Sequence, residues 1–254
     1  MVMLPEASTQ AGLRLYAIGD VHGCADLLAG MHLRIARDLR RRPPGDWRVI
    51  HLGDYVDRGP ESARVLSLLM DFAAGGRAEF LLGNHDQFLR DFLEDPQAAD
   101  FDMWMMNGGG PTLRSFGVGA GLLGHFPDPP ARQRIRDTVL AAMPGVADLL
   151  AALAPMRRHG DYAFVHAGVR PGVPLERQSP HDLVWIREPF LMSRADHGAV
   201  IVHGHTPLDA VEVRPNRIGI DTGAVFGGPL TCLVLEGRER ALLGPAGPEP
   251  LGAG

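Results

Sequence analysis

Short apolar runs, each followed by a polar side chain that can bind metal, recur along the chain. The five runs span residues 15–18, 47–52, 80–82, 163–165 and 200–202. Such runs, rich in β-branched and aromatic residues and bounded by glycine, are typical of buried strands. Helical patterns at 25–40 and 62–74 separate the first three. Strand, helix, strand in this order predicts an α/β fold with right-handed parallel units.

The polar residues that follow these strands form a second pattern. In chain order they are Asp20, His22, Asp54, Asn84, His85, His166, His203 and His205. In open α/β sheets, ligands bind beyond the carboxyl ends of the strands, so we expect these groups to converge on one sheet edge. A single Asp in such a position can cap a helix, and a single His can be a packed core residue. Five strands with the same layout favour a functional site.

The segment HLGDYVDRGP, residues 51–60, concentrates this chemistry. It places Asp54, Asp57 and Arg58 within five residues. A turn requires only one Asp or Asn and one Gly, so turn formation does not explain the whole set.

The donor set predicts a metal site. It consists of Asp20, His22, Asp54, Asn84, His166 and His205. Imidazole, carboxylate and amide donors suit borderline divalent ions such as Mn, Fe or Zn rather than a closed thiolate site. Six donors exceed the need of one catalytic ion but suit two ions about 3.5–4 Å apart. Asp54, central in the series, is the expected bridge.

Three further residues have chemistry that such a site would use. Arg58 can grip two oxygens of a phosphoryl group. His85 follows Asn84 directly and should point towards the leaving group, which makes it the candidate general acid. Either Asp57 or Asp86 orients His85, and the spacing does not decide between them.

Composition narrows the class of protein. The length of 254 residues fits one large α/β domain, and the net charge of −5 argues against nucleic-acid binding. No apolar run reaches the roughly 18 residues of a membrane span, and no secretion signal is apparent, so we expect a cytoplasmic protein. Two cysteines are expected as free thiols. All 25 basic residues are arginine, which excludes lysine-dependent P-loop and Schiff-base chemistry.

Several motifs resemble those of the metallophosphoesterase superfamily. They are GDVHG (19–23), GDYVDRG (53–59), GNHD (83–86), the His166 element and GHTP (204–207). The VDRG segment narrows the resemblance to the phosphoprotein phosphatase branch. It extends to WMMNGGG (104–110), WIRE (185–188) and IDTGAVFGGPLT (220–231), and covers most of residues 14–236.

This resemblance implies a four-layer αββα sandwich with mixed sheets, and two metal ions bridged by a hydroxide that attacks phosphorus. By motif, the first ion would be held by Asp20, His22 and Asp54, and the second by Asp54, Asn84, His166 and His205. Arg187 would be a second phosphate clamp; without the resemblance, a surface pair with Glu188 is the simpler interpretation. His203 is expected behind the ligands or in the core.

The rest of the chain is expected to be organised around a single domain, residues 13–240, with mobile tails at 1–12 and 241–254. Residues 96–160 break the strand–helix alternation and predict a small helical cap insertion with helices at 131–143 and 146–153. Two interpretations of this insertion stay open. It is either a satellite helical core or a cap whose loop at 108–110 shapes substrate access.

These observations favour a metal-dependent phosphomonoesterase, more narrowly a serine/threonine protein phosphatase. The expected metal is Mn, with Fe or Zn as alternatives. The substrate would be a phosphoprotein or a phosphorylated small molecule. The alternative is a dinucleoside polyphosphate hydrolase, whose family shares the GDxHG, GNHD and HAG elements; FVHAGVRPG favours it. A scaffold that has lost catalysis is disfavoured, because His85, Asp57 and Arg58 are all present.

Overall fold

Two mixed β-sheets, stacked face to face, carry the strand-end residues. The computed structural model describes residues 2–123 and 127–251, so the ends of both predicted tails and residues 124–126 of the predicted cap lie outside it. The first sheet, in spatial order β11-β10-β9-β1-β2-β3, contains β1 (Leu13–Ile18), β2 (Asp46–His51), β3 (Ala78–Phe80), β9 (Cys232–Glu236), β10 (Glu239–Leu243) and β11 (Pro248–Pro250). The second, in order β4-β5-β6-β8-β7, contains β4 (Met156–His159), β5 (Tyr162–Val165), β6 (Val200–His203), β7 (Glu212–Arg214) and β8 (Arg217–Gly219).

The five predicted strands are all present, but they are divided between the sheets. β1, β2 and β3 run parallel in the first sheet, and β5 and β6 run parallel in the second. The expectation of one shared sheet edge is therefore wrong. The apolar runs specify strands without specifying which sheet each strand joins.

Side-chain alternation on β1 explains the stacking. Leu13, Leu15 and Ala17 pack against the second sheet, whereas Tyr16 and Ile18 pack against helices. A strand buried on both faces has a continuous apolar sequence, as β1 has.

Helices cover the outer face of the first sheet. They are α1 (Ala25–Arg41), α2 (Ser62–Ala73), α3 (Asn84–Glu94), α4 (Phe101–Met106), α5 (Gly109–Ser115), α6 (Pro129–Ala142) and α7 (Val146–Ala151). The outer face of the second sheet is covered by α8 (Pro180–Trp185) and irregular chain around it, with Phe190 and Val169 in the core between them. The predicted four layers are thus confirmed, although the fourth is mostly irregular chain.

The insertion belongs to the main core. Phe101, Trp104, Leu113 and Ile135 share one buried cluster with Leu28 of α1. This continuity argues against a satellite core. The insertion ends before residue 160, its predicted last residue, because residues 156–159 form strand β4.

Residues within both predicted tails also contribute to the fold. Leu4 and Ala7 are buried in the cluster between the sheets. β10 continues past residue 240, and β11 pairs with it. Cys24 and Cys232 are free thiols, as predicted. Among the described residues, no helix is long and apolar enough to cross a membrane.

Candidate metal centre and active site

The loops that carry the predicted site residues have unusual backbone conformations. Among the described residues, five that are not glycine have positive φ: His22 (43°), Asp54 (52°), Asp57 (72°), Arg58 (67°) and His205 (67°). All five are predicted site residues. Such conformations cost on the order of 1–3 kcal/mol each and persist where the surrounding structure enforces them, which is common at active sites.

Glycines at two of these loops allow close approach of the carboxylates. A Cβ atom at Gly204 would clash with Asp20 Oδ1, and one at Gly83 would clash with Asp54 Oδ1. The glycines of the GNHD and GHTP motifs therefore make room for the acidic groups beside them.

Asp54 lies at the centre of the site and faces two histidines with different oxygens. Its Oδ2 lies 3.3 Å from His22 Nε2, and its Oδ1 lies 3.3 Å from His166 Nε2. Asp54 Oδ1 also accepts a hydrogen bond of 3.0 Å from the backbone N–H of His85. The two carboxylate oxygens therefore contact one histidine from each predicted ligand group.

Backbone carbonyls fix the tautomers of two histidines. His22 Nδ1 donates to Val56 O at 2.8 Å, and His166 Nδ1 donates to Leu52 O at 3.0 Å. Each ring therefore presents its unprotonated Nε2 to the site, which is the state required of a metal ligand.

The second predicted ligand group also comes together. Asn84 Oδ1 lies 3.0 Å from His166 Nε2 and 2.8 Å from His205 Nδ1. Asn84 begins α3, while the two histidines follow β5 and β6 of the other sheet. The amide oxygen therefore joins the two sheets at this site.

The residues fit divalent metal ions. Asp20 Oδ1 and His205 Nε2 are buried without a hydrogen-bond partner among the described residues. Burial raises the pKa of Asp20 well above its usual value, and the charges of Asp221 and Asp54 add to the shift. Burial lowers the pKa of His22 to about 4 and that of His205 to about 3, so both rings are neutral near pH 7. Crowded carboxylates beside neutral imidazoles are an arrangement that a divalent cation stabilises.

His85 is held by Asp57, which resolves the choice that the sequence left open. His85 Nδ1 donates to Asp57 Oδ2 at 2.8 Å. Asp57 also accepts from Trp104 Nε1 at 2.9 Å and from Thr112 Oγ1 at 2.7 Å. These contacts leave His85 Nε2 directed towards Arg58.

Asp86 has a different task. Its carboxylate accepts backbone N–H groups of Asp54 at 2.7 Å, Tyr55 at 2.9 Å and Gly83 at 3.0 Å. Asp86 therefore holds the loop after β2 against the start of α3, and so positions Asp54.

Arg58 lies between the metal ligands and His85. Its Nη1 lies 2.7 Å from His22 Nε2, and its Nη2 lies 2.9 Å from His85 Nε2. Its Cζ lies 5.6 Å from the ring centre of Phe226, a side chain that is 67% exposed. The guanidinium therefore lies between His22, a predicted metal ligand, and His85, where it can contact an anion.

Arg187 is exposed and approaches the site from the segment after α8. Among the described residues it forms no ion pair with Glu188, so the surface-pair interpretation is not supported. The low pKa of His205 arises from burial first, with contributions from His166 and from the positive charge of Arg187. The charge of Arg187 therefore acts on His205 of the second predicted ligand group.

His203 packs away from this cluster. Its Nδ1 donates to Gly204 O at 3.1 Å, its Nε2 accepts from Arg217 Nη1 at 3.3 Å, and its ring contacts Phe190. His203 is therefore buried between the second sheet and the chain that covers its outer face.

Four further residues lie at the site and were not predicted from the sequence. They are Trp104, Thr112, Asp221 and Phe226. Asp221 follows strand β8 and its charge acts on Asp20, so the strand-end rule would have found it if applied to this short strand. No local pattern shows that the Trp104 indole reaches Asp57, which is 47 residues away in the chain.

The chain is similar to known phosphoesterases. The sequence profile of the family described as calcineurin-like phosphoesterase matches residues 13–232. The chain is 29% identical to serine/threonine-protein phosphatase 1 of Salmonella typhimurium, over 85% of this chain and 89% of the relative. It is 27% identical to a symmetrical bis(5'-nucleosyl)-tetraphosphatase of Dechloromonas aromatica, over 88% and 93% of the two chains.

Solved structures show the same fold. A cold-active protein-tyrosine phosphatase of a psychrophilic Shewanella species superposes with a TM-score of 0.59 at 16% identity, over 98% of this chain and 84% of that one. The chain therefore belongs to the calcineurin-like phosphoesterase family, and it is a metal-dependent phosphoric ester hydrolase.

Proposed function

We propose that this calcineurin-like phosphoesterase is a serine/threonine protein phosphatase that uses two divalent metal ions. Manganese is the proposed metal. The observation that carries the proposal is the position of Arg58, whose guanidinium lies 2.7 Å from His22 Nε2 and 2.9 Å from His85 Nε2. A terminal phosphoryl group bound by Arg58 would thus lie between the metal ligands and a proton donor.

Two groups of side chains would hold the ions. Asp20, His22 and Asp54 would hold one, and Asp54, Asn84, His166 and His205 would hold the other. When bound, such ions lower the pKa of water and polarise the phosphoryl oxygens. Asp86 keeps Asp54 in place through the backbone, as described above.

The arginines bind and orient the phosphoryl group. Arg58 offers two N–H groups on one face, which match two phosphoryl oxygens. Arg187, at the second ligand group, would bind a third. Both charges would oppose the negative charge that develops on the phosphoryl oxygens in the transition state.

His85 supplies the proton that the leaving group requires. Protonated at both nitrogens, it would donate from Nε2 to the departing serine or threonine oxygen. Asp57, buried and bonded to Nδ1 at 2.8 Å, would stabilise the imidazolium and fix its orientation.

A dinucleoside polyphosphate hydrolase is the second candidate. It is favoured by the relative from Dechloromonas aromatica, which is 27% identical over 93% of its own length. The same ligands and the same arginines would serve this reaction, with a nucleotide as leaving group.

The test is a comparison of kcat/KM on protein that is chelated and then reconstituted with Mn²⁺. One substrate is a phosphothreonine peptide and the other is diadenosine tetraphosphate. A strong preference for the peptide supports the proposal, whereas a strong preference for the dinucleotide overturns it in favour of the second candidate. A His85→Asn variant, assayed in parallel, assigns either activity to this site.

A further inference from the structure

A cleft of about 290 Å³ adjoins the active site at Arg58. It is lined by Arg58, Pro60, Pro111, Arg114 and Ser115. Of the predicted metal and catalytic residues, Arg58 alone lines it. The cleft is therefore continuous with the phosphoryl site through one side chain, and its other walls come from the insertion and the start of α2.

The far wall of the cleft is rigid. Thr112 of α5 bonds Asp57 at 2.7 Å and lies 2.9 Å from Ser62 Oγ of α2. Ser115 Oγ accepts the backbone N–H of Ala63 at 3.0 Å. These contacts fix α5 to α2 and to the loop that carries Asp57. The position of Arg114, between Thr112 and Ser115 on α5, is therefore set by the active-site loop itself.

The charge of Arg114 is not compensated within the described part of the chain. Arg114 is exposed, and its guanidinium forms no ion pair or hydrogen bond with any described residue. Elsewhere in the protein, Arg64 and Arg90 pair with neighbouring carboxylates. No carboxylate lines the cleft, so Arg58 and Arg114 give it a purely positive character.

Glycine at position 110 contributes to this arrangement. A Cβ built on Gly110 would lie 3.3 Å from Arg114 Nη1, closer than an ordinary contact. The guanidinium therefore lies over the bare backbone of the last glycine in the NGGG segment. A side chain at 110 would displace it.

We propose that this cleft binds a second anionic group of the substrate, next to the scissile phosphoryl group. The inference rests on the proposed function and specifies its substrate further. The second anionic group is the carboxylate of an acidic residue next to the phosphothreonine. Because Arg58 belongs to both the phosphoryl site and the cleft, a neighbouring residue of the same peptide can reach Arg114.

The experiment compares two phosphothreonine peptides that differ only in having Asp or Asn on both sides of the phosphothreonine. The wild-type protein should prefer the Asp peptide by about three- to tenfold in kcat/KM, the range expected for a charge-assisted contact in a partly exposed cleft. In Arg114→Gln the ratio should fall to near one. In Arg37→Gln, an exposed arginine on α1 without an ion pair to any described residue, the ratio should stay at the wild-type value.

A second variant tests the geometry without removing the charge. Gly110→Ala adds only a methyl group within α5, where alanine is well tolerated, and should reduce the Asp preference by displacing Arg114. The inference would be overturned if the wild-type protein had equal kcat/KM on the Asp and Asn peptides. It would also be overturned if Arg114→Gln kept the preference for the Asp peptide.

The same variants separate this inference from the proposed function. If the protein prefers diadenosine tetraphosphate, the proposed function fails. The cleft is then supported if Arg114→Gln lowers kcat/KM for the dinucleotide more than for p-nitrophenyl phosphate, which has no second anionic group. Equal losses on both substrates would overturn the cleft as a subsite.

Discussion

His85 Nδ1 and Asp57 Oδ2 are 2.8 Å apart, although no local pattern in the chain distinguishes Asp57 from Asp86 as the partner. Asp57 is buried, and burial raises its pKa, while the hydrogen bond from His85 opposes that shift. The remaining bonds to Trp104 and Thr112 keep the carboxylate fixed. This pair therefore determines the orientation of His85, the proposed proton donor.

Asp57→Asn should impair proton donation without removing the metal ligands. We expect kcat on a phosphothreonine peptide to fall by about 10²- to 10⁴-fold, the usual contribution of general acid catalysis. The loss on p-nitrophenyl phosphate should be much smaller, because its leaving group departs without a proton. Asp91→Asn, on the same α3 helix as His85, is the control. Equal losses on the two substrates would contradict the assignment.

Arg187→Ala should weaken phosphate binding and leave the fold intact. We expect kcat/KM to fall by about 10- to 100-fold, as for the loss of a hydrogen bond to a charged group. Because Arg187 is exposed, the free energy of unfolding of the variant should differ from that of the wild type by less than about 0.5 kcal/mol. Arg194→Ala, exposed in the following segment, should change neither quantity. An unaltered kcat/KM in Arg187→Ala would remove this residue from the site.

Divalent metal should stabilise the protein. Binding only to the folded state adds about 2.7 kcal/mol at 100 times the Kd, so Mn²⁺ should raise Tm and a chelator should lower it. Elemental analysis should find two ions per chain in the wild type and fewer in His205→Ala. A Tm that does not respond to Mn²⁺ would argue against the site as a metal centre.

Trp104→Phe should lower stability by removing one donor to a buried carboxylate. We expect a loss of about 1–3 kcal/mol in the free energy of unfolding, because Asp57 would keep its burial with fewer hydrogen bonds. Urea denaturation measures this loss. Trp47→Phe, partly exposed in β2, should lose far less. Similar losses in free energy of unfolding in both variants would show that the hydrogen bond from Trp104 to Asp57 does not stabilise the protein measurably.

His32 and His51 should make stability depend on pH. Their Nε2 atoms lie 2.9 Å apart; burial lowers the pKa of His32 to about 4 and that of His51 well below its usual value. In the unfolded chain both titrate near about 6.5, so between about pH 4 and 6.5 the unfolded state binds more protons. Stability should therefore rise with pH across this window and fall as the solution is acidified.

The pH effect is isolated by a variant. His32→Leu should make the free energy of unfolding less dependent on pH between about 4 and 6.5, because one histidine with a lowered pKa is gone. His181→Gln, on the exposed side of α8, should retain the wild-type slope. A wild-type slope in His32→Leu would assign the pH dependence to other groups.

The sequence by itself determined the local elements and the chemical inventory of the site. The apolar runs specify β1, β2, β5 and β6 within one or two residues, since strand patterns depend on neighbouring positions alone. The six predicted ligand residues do come together, although the strands that they follow belong to two sheets, because the ends of those strands meet where the sheets are stacked. The motifs narrowed that set to one family, which the profile match confirms.

Tertiary structure decided what depends on contacts between distant segments. It divided the strands between two sheets, paired His85 with Asp57, and joined the insertion to the main core through Trp104. It also gave Leu4 and β11 places in the fold. Periodicity describes which face of an element is apolar, but it carries no information on which other apolar face will cover it. That choice arises only when all the elements pack together.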